Sequence, residues 1–399
     1  MNLLFLSAFI PYPLRDGDCV RAFRMLEMLA RRHSVRGFFL DSDGIGGVPH
    51  QIKRLCRDTL RVKLPRWRRA TGVLRALTLG RPLNTEPFFS GGALRRLVSA
   101  AEHWRVRAVH VHRVRMMPYA EALRLPYMLD ATDCLTHYFR LAGKSLGGWR
   151  RIYAARDSRI LARRERDWAN RSAACIVTTP LEAARMRSLG VRKPVIAVPN
   201  GMRTGARPRI RPSKRERELV FMGNLAYPPN SSGLAWFFRR VAPLLAGMSP
   251  GARLVVIGGG VSRPLVKAAG ACGLRVRFTG FLSDPGPGIE RASAMICPLP
   301  VAVGLQNKVI EAFIRATPVV TTSNVAGALG AGAGREVLVS DTPAGFARLA
   351  ASLLEKPALR DRIGMSGMRL AARRFSEKAA SRALDGALAF LNRAVRMDA

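Results

Sequence analysis

The sequence is short of acidic residues, has no closely paired cysteines and contains no long apolar run. Asp and Glu total 27 against 66 Lys and Arg, which gives a formal net charge of 66 − 27 = +39. Because 48% of the 399 residues are hydrophobic, the chain is not a disordered polycation, which lacks the apolar residues of a core. The length predicts roughly two or three domains of about 150 residues.

The cysteines and the apolar segments exclude further classes of protein. No two of the six cysteines form a CxxC pair, and their spacings fit no zinc site, so we expect reduced, mostly buried thiols in a cytoplasmic protein. No stretch approaches about 20 uninterrupted apolar residues, so we expect no transmembrane helix. The apolar residues 1–10 follow no basic segment and favour a core strand over a signal peptide.

The positive charge is spread along the chain and does not form a tail. Residues 1–202 carry 37 basic and 15 acidic residues, a net +22, and residues 203–399 carry 29 and 12, a net +17. This distribution predicts a polyanionic partner surface, although genomic base composition can explain part of the excess of Arg over Lys. No RNP1-like strand, zinc finger or basic zipper occurs, so we expect no specific nucleic-acid partner.

One acid-free segment, residues 59–85, combines seven cations with apolar side chains that include Trp67, Leu74 and Leu77. Such a segment fits an anionic membrane surface, where each nearby cation contributes about 1 kcal/mol. A solvated helix face explains the pattern equally well, and both interpretations stay open. The seven cations are Arg61, Lys63, Arg66, Arg68, Arg69, Arg75 and Arg81.

Short apolar runs alternate with helical patterns along both halves of the chain. This alternation predicts an α/β protein with two doubly wound, Rossmann-like domains that face each other across a cleft. Ligands of such sheets bind beyond the carboxyl ends of the strands. The Arg- and Pro-rich residues 203–218 indicate a linker. The predicted strands are 3–6, 35–40, 108–111, 127–129, 174–177, 195–198, 219–222, 254–257, 276–279, 295–297 and 319–321.

In the first half, polar residues follow several predicted strands. Gly17 permits close backbone approach at a predicted helix start, where free N–H groups attract an anion. An ordinary strand–helix loop is the alternative for this segment. His112, which alternates with His110 at the end of a strand, can act as an acid or base, although a structural histidine is at least as common. Asp133 and Asp130 follow the next strand, and capping of a turn competes with a role in a site. Asp16, Asp18 and Arg21 add polar groups beside Gly17.

In the second half, the most informative segment is residues 298–320. Lys308 lies in the first turn of a predicted helix, where the macrodipole disfavours a cation unless an anion such as a phosphate is bound. Glu311, one turn later, can accept two O–H groups of a ribose. An exposed helix start is the alternative. Gly223 ends an earlier strand, and Gly304, Gln306 and Asn307 form the loop before the helix.

Six segments in order give the chain a resemblance to the retaining glycosyltransferases of family 4, which have the GT-B fold. They are FLSAFIPYPLRDGDCVRAF, VHVHRVRMMPY, VPNGM, FMGNLAYPPN, FTGFLSD and GLQNKVIEAFIRATPVV, and the last is the most specific. Within that family the chain looks most like the sugar transferases of exopolysaccharide and PEP-CTERM/exosortase systems. The resemblance covers essentially the whole chain.

The resemblance implies a nucleotide-sugar donor held mainly by the C-terminal domain, and transfer with retention, without a metal or other cofactor. Glu311 matches the second Glu of the family's E-x7-E motif and would contact the ribose. His112 would contact the donor sugar near the reacting centre, and the Gly17 loop would approach the sugar and the acceptor. The expected catalytic residues are therefore His112, Asp133 and Gly17, and the expected acceptor-side residues are Asp16, Asp18 and Arg21. The acceptor would be a glycan, often on a lipid carrier at the inner membrane face, so we expect a cytoplasmic, peripheral enzyme. The expected donor-binding residues are Gly223, Asn224, Gly304, Gln306, Asn307, Lys308 and Glu311.

Two departures from the family pattern stand out. Val303 occupies the position of the first Glu of E-x7-E, and Asn224 occupies the position of the Arg that usually binds the diphosphate. Lys308 would then supply the missing charge. A degenerate, non-catalytic protein that binds polyanions and a nucleotide-sugar epimerase remain alternatives. The expected domains are 1–205 on the acceptor side, 206–375 on the donor side, and a helix, 376–399, that returns to the first domain.

Overall fold

The structure, a computed structural model, describes residues 1–14, 16–41, 47–145, 148–205, 210, 215–299 and 304–398, without the side chains of residues 66, 142, 144, 145, 149 and 150. It divides into an N-terminal unit, Met1–Gly201 with Ala380–Ala399, and a C-terminal unit, Met202–Ala379. These divisions fall four residues from the expected boundaries. None of the described helices is both long enough and apolar enough to cross a lipid bilayer.

The N-terminal unit is built on a seven-stranded parallel sheet in the order β3-β2-β1-β4-β5-β6-β7. The central strands are buried on both faces, which explains their continuous apolar sequences. The strands are β1 Asn2–Ser7, β2 Ser34–Asp41, β3 Asp58–Lys63, β4 Ala108–His112, β5 Tyr127–Thr132, β6 Ala174–Val177 and β7 Val195–Ala197.

Helices connect these strands and cover the sheet. A final helix, α17 (Glu377–Met397), also belongs to this unit, because its apolar side chains, such as Leu384 and Leu391, are buried in the same core. The other helices are α1 Gly17–Ala30, α2 His50–Lys53, α3 Arg66–Thr78, α4 Gly91–His103, α5 Met117–Leu123, α6 Leu135–Ser145, α7 Gly148–Arg171 and α8 Pro180–Ser188.

The C-terminal unit has a six-stranded parallel sheet in the order β10-β9-β8-β11-β12-β13. Its strands are β8 Glu216–Met222, β9 Arg253–Ile257, β10 Arg275–Gly280, β11 Ala292–Cys297, β12 Val319–Thr321 and β13 Leu338–Val339. Its helices are α9 Pro228–Trp236, α10 Ala242–Met248, α11 Arg263–Gly270, α12 Gly286–Arg291, α13 Asn307–Ile314, α14 Ser323–Leu329, α15 Pro343–Glu355 and α16 Pro357–Arg374.

The predicted α/β class with two doubly wound domains is confirmed, and three details differ. The strands β3 and β13 were not predicted, and β8 begins inside the predicted linker, half of which lies outside the described residues. The helical pattern at 231–245 is interrupted by a π-helical segment, Phe237–Val241, just before Pro243. Because proline has no N–H to donate, the regular ladder cannot continue through this position.

Candidate functional site

A buried cluster of charged and polar side chains lies at the carboxyl ends of the N-terminal strands. Its centre is Asp130 on β5, which accepts hydrogen bonds from Arg21 Nη2 at 2.7 Å and from Arg21 Nε at 3.0 Å. The His112 ring on β4 lies with Nδ1 3.3 Å from Asp130 Oδ2. Arg21, Asp130 and His112 are at most 1% exposed. Since buried charges are stable only when paired, Arg21 and Asp130 form one unit.

Arg21 also ties this cluster to the end of β7. Its Nη1 donates to the Val198 carbonyl at 2.8 Å and to Asn200 Oδ1 at 3.1 Å. These contacts explain the position of the VPNGM segment beside the first helix. An acceptor-side role for Arg21 is not supported, because its guanidinium is buried and directed at Asp130 instead of solvent. Arg21 instead holds Asp130 in position.

The charge on Asp130 determines which nitrogen of the His112 ring carries the proton. Burial acts to raise the pKa of Asp130, but Arg21 and the His112 hydrogen bond hold it well below its usual range. An ionised Asp130 favours the tautomer in which His112 Nδ1 carries the proton and donates it to the carboxylate. His112 Nε2 is buried and has no partner among the described residues, so it can accept an O–H from a ligand. Burial lowers the pKa of His110 to about 3, which keeps that ring neutral.

His110, His112 and Asp130 also carry the donor atoms of a metal site. Three such atoms lie within 4.8 Å of one another, which the histidine pair alone did not indicate. Arg21 already places a positive charge against both Asp130 oxygens, at 3.0 and 3.1 Å from Nε. A cation at Asp130 would be repelled by that guanidinium. Transfer without a metal therefore remains a prediction, and the repulsion of a cation by Arg21 is the physical reason for it.

The loop that precedes α1 carries the other predicted residues of this edge. Asp16 caps the helix, since its Oδ1 accepts from Cys19 N at 2.8 Å, and Gly17 is the exposed first residue of the helix. Asp18 is hydrogen-bonded by Arg113. Burial acts to raise the pKa of Asp18, but Arg113 lowers it overall, so the carboxylate is charged. Asp16 and Asp18 therefore place two oxygen acceptors beside the exposed Gly17 backbone.

Asp133 follows β5 on a strained turn. Thr132 has φ = 66°, a left-handed value that is rare for a β-branched residue, and the pairing of β5 with β6 shifts register there. Asp133 Oδ1 accepts from the Thr178 hydroxyl at 2.9 Å. Burial raises the pKa of Asp133 to about 6, although Arg113 opposes the shift. A carboxyl group of this kind can exchange a proton near neutral pH.

In the C-terminal unit, Lys308 occupies the first turn of α13 as predicted, but its ammonium is buried. Nζ donates to Asn230 Oδ1 and lies 5.0 Å from the centre of the Phe221 ring. It also lies against the turn after β8, because a Cβ on Gly223 would be 3.2 Å from Nζ. The lysine therefore joins α13 to the turn after β8, where Asn224 occupies the position that the resemblance assigns to a diphosphate-binding Arg.

The charge of Lys308 is incompletely compensated. No described carboxylate lies within 4.0 Å of Nζ, and burial lowers the pKa of the ammonium. Asn230, which contacts Nζ, is itself oriented by a 2.8 Å hydrogen bond from its Nδ2 to the Asn224 carbonyl. A buried ammonium without an anion is costly, so this arrangement favours the binding of an anion.

The rest of the predicted donor edge lies around α13. Glu311 is partly exposed and forms an ion pair with Arg315 one turn later. Gly304 is buried with φ = 70°, and Gln306 precedes the helix, where its carbonyl accepts from Val309 N at 2.9 Å. Asn307 begins the helix. Val303, which departs from the E-x7-E motif, lies outside the described residues.

Two central residues were not among the predicted site residues. Asp130 was noted beside Asp133, but local spacing gave no reason to prefer it, because its partner Arg21 is 109 positions away. Local spacing also gave no reason to connect Asn230 with Lys308, because the two residues that the structure pairs are 78 positions apart. An acidic residue directly after a buried run was the only local signal for Asp130.

Two family profiles match the chain, one in each half. Residues 20–201 match the glycosyl transferase 4-like domain, and residues 216–356 match the glycosyl transferases of group 1. No curated protein is similar enough in sequence to match.

Solved structures are similar over almost the entire chain, at low sequence identity. HepE from Anabaena, in complex with UDP and glucose, superposes with a TM-score of 0.70 at 14% identity over 98% of this chain and 99% of that chain. Sucrose-phosphate synthase from Thermosynechococcus elongatus gives 0.72 at 15% over 99% and 100%. A variant of TarM from S. aureus, in complex with fondaparinux, α-GlcNAc-glycerol and UDP, gives 0.69 at 11% over 98% and 99%. These similarities confirm the predicted GT-B fold.

Proposed function

Because this chain belongs to the group 1 glycosyltransferases and has the GT-B fold, we propose that it transfers a sugar from a nucleotide sugar to a glycan or lipid-linked acceptor, with retention of configuration. UDP-sugars are the first donors to test, since the HepE and TarM complexes contain UDP. The resemblance of the six sequence segments supports a role in exopolysaccharide or related cell-surface glycan synthesis.

The observation that carries the proposal is the buried ammonium of Lys308. It is held between Asn230 and Phe221 at the carboxyl end of the sheet, where α/β proteins bind ligands. The diphosphate of a nucleotide sugar would supply the missing negative charge, helped by the positive end of α13. Glu311, on the next turn of that helix, would accept the ribose hydroxyls.

The N-terminal cluster would act on the sugar and the acceptor. We assign His112 Nε2 to a hydroxyl of the donor sugar, and Gly17 with Asp16 and Asp18 to the acceptor side. In the transfer, the bond from the anomeric carbon to the phosphate oxygen breaks, and a bond to the acceptor oxygen forms on the same face. The acceptor's proton passes to the departing phosphate. Asp133, whose pKa is raised, would be the carboxyl of this N-terminal cluster that titrates.

A lipid-linked acceptor would place this reaction at the inner face of the cytoplasmic membrane. The net charge of +39 and the acid-free residues 59–85 support an anionic surface as partner. The identities of the acceptor, of the transferred sugar and of the donor's nucleobase are the more specific parts of this proposal. Analysis of the product's anomeric configuration by NMR would test retention.

The donor assignment is tested by thermal unfolding with a panel of nucleotide sugars, followed by transfer assays with the donor that stabilises the protein. A donor at about 100 times its Kd adds about 2.7 kcal/mol to the free energy of unfolding. Glu311→Ala should abolish transfer and leave the melting temperature without donor nearly unchanged. Arg315→Ala is the matched control, because it breaks the same ion pair but keeps the carboxylate, and it should remain active. A fully active Glu311→Ala protein would contradict the donor assignment.

A further inference from the structure

Helix α3 packs against the rest of the N-terminal unit through its small residues. Ala76 is completely buried. Gly72 lies so close to the segment that contains Pro87 that an added Cβ would be 2.6 Å from Pro87 Cα. A helix at the surface of a soluble protein normally turns its large apolar side chains toward the core. Because α3 uses small residues for this contact, its large apolar side chains are left on the outer side.

That outer side is apolar and exposed. Trp67 is 61% exposed, Leu74 64% and Leu77 52%, and their spacing puts them on one face of the helix with Ala70. Val73 and Leu79 extend the surface. The described residues include fourteen exposed large apolar side chains, and five of them fall within residues 67–79. Nothing in the described N-terminal unit covers them.

The arginines of α3, and Arg81 just after the helix, lie at the border of this apolar face and contact the rest of the unit. Arg75 forms an ion pair with the buried Glu86 and lies over the Phe89 ring at 5.6 Å, and Arg81 reaches the same carboxylate at 3.3 Å. Arg68 donates to Ser90 Oγ at 3.2 Å. Arg75 and Arg81 are still about half exposed, so they surround the apolar surface with positive charge.

Helix α7, which contacts the end of α3, also carries an exposed apolar side chain. Ile152 is 73% exposed, and Arg156, one turn later, donates to the Ala76 carbonyl at 2.7 Å. The hydrogen bond fixes the start of α7 against the end of α3. Each of the two helices therefore carries exposed apolar side chains, and on the α3 side no acidic residue occurs between positions 59 and 85.

We infer that the outer face of α3, with Ile152, inserts into the interfacial layer of an anionic lipid bilayer, and that Trp67, Leu74 and Leu77 are its anchors. This inference rests on the proposed use of a membrane-borne acceptor. An apolar face bordered by cations matches lipid tails below anionic headgroups. The insertion is primarily apolar, because the arginines are already engaged by Glu86, Ser90 and the aromatic rings. Binding should therefore survive salt that screens charges at the surface.

The test is co-sedimentation of the full-length protein with vesicles of phosphatidylglycerol and phosphatidylcholine. Leu74→Gln with Leu77→Gln should lower the partition coefficient about tenfold or more. Val266→Gln is the matched control, since Val266 is 48% exposed on α11 of the C-terminal unit and should not affect binding. Trp67 fluorescence should shift to the blue with vesicles, and Trp67→Phe should remove that shift.

Three results would overturn the inference. The first is binding that salt abolishes and the double Gln variant does not change, which would show nonspecific attraction to the +39 chain. The second is absence of binding to any vesicle. The third is a concentration-dependent dimer, lost in the double variant, with no vesicle binding, which would make a second copy the occupant of the face. Donor binding measured without vesicles separates these outcomes from failure of the proposed function, because the α3 variants should leave it unchanged.

Discussion

At the residue scale, the Asp130–Arg21 pair both fixes the fold and sets the chemistry of His112. Asp130→Asn should lower the free energy of unfolding by about 3–5 kcal/mol, because it leaves the Arg21 guanidinium buried without a counterion. Arg21→Met combined with Asp130→Asn should be less destabilised than the sum of the single variants. Chemical denaturation measures both. Additive losses would show that the two side chains do not act as one unit.

The same pair makes stability depend on pH in a defined direction. The folded-state pKa of Asp130 is lowered, so its contribution is fully present above the ordinary carboxyl range near pH 4 and is lost as the pH falls through the lowered value. In Asp130→Asn this acid-dependent component should be absent.

The pKa of Asp133 is shifted in the opposite direction, and we expect this shift to affect the pH dependence of activity. With a pKa raised to about 6, a required carboxylate would make the rate of donor turnover rise as the pH increases through about 6. Asp133→Asn should remove this acid limb. Thr178→Val removes a hydrogen bond to the charged form and should move the limb to higher pH. A limb that is the same in all three proteins would exclude Asp133 as the titrating group.

At the element scale, the turn after β8 is fitted around Lys308. Gly223→Ala would place a Cβ 2.8 Å from Asn230 Nδ2 and 3.2 Å from Lys308 Nζ, so the pair must shift. We expect a loss of about 1–3 kcal/mol in stability together with weaker UDP binding, measured by denaturation and calorimetry. Gly247→Ala on α10 is the matched control, because no atom beyond its own helix backbone and chain neighbours lies within 4 Å of its added Cβ. Unchanged UDP affinity in Gly223→Ala would place the diphosphate elsewhere.

The element that sequence patterns described least well is the pair β3 and α3. Apolar and charged side chains alternate only over the short run Leu60–Lys63, and the strand lies at the edge of the sheet, where only part of it is buried. A long apolar run is the signal of a central strand, and an edge strand does not need one. The apolar residues of α3 were visible in the sequence, but the sequence did not show that they face outward.

At the scale of the whole molecule, the C-terminal helix links the ends of the chain. Leu384 of α17 is completely buried in the core of the N-terminal unit. Leu384→Ala should destabilise that unit by about 2–5 kcal/mol and leave UDP binding by the C-terminal unit unchanged. Met397→Ala, at a position 89% exposed on the same helix, should have no effect. Equal losses for both variants, in far-UV circular dichroism melts, would contradict the assignment of α17 to this core.

The sequence by itself determined the α/β class, most of the central strands and the start of α13 with Lys308 and Glu311. Those features follow from local periodicity and from residues close together in the chain. Only the tertiary structure decided that Arg21 is buried against Asp130, that Lys308 is turned beneath Gly223 toward Asn230, and that α3 presents its apolar face outward. Each of these depends on which elements are neighbours in space, and that depends on the order of strands in the sheet, because the contacting side chains are far apart in sequence.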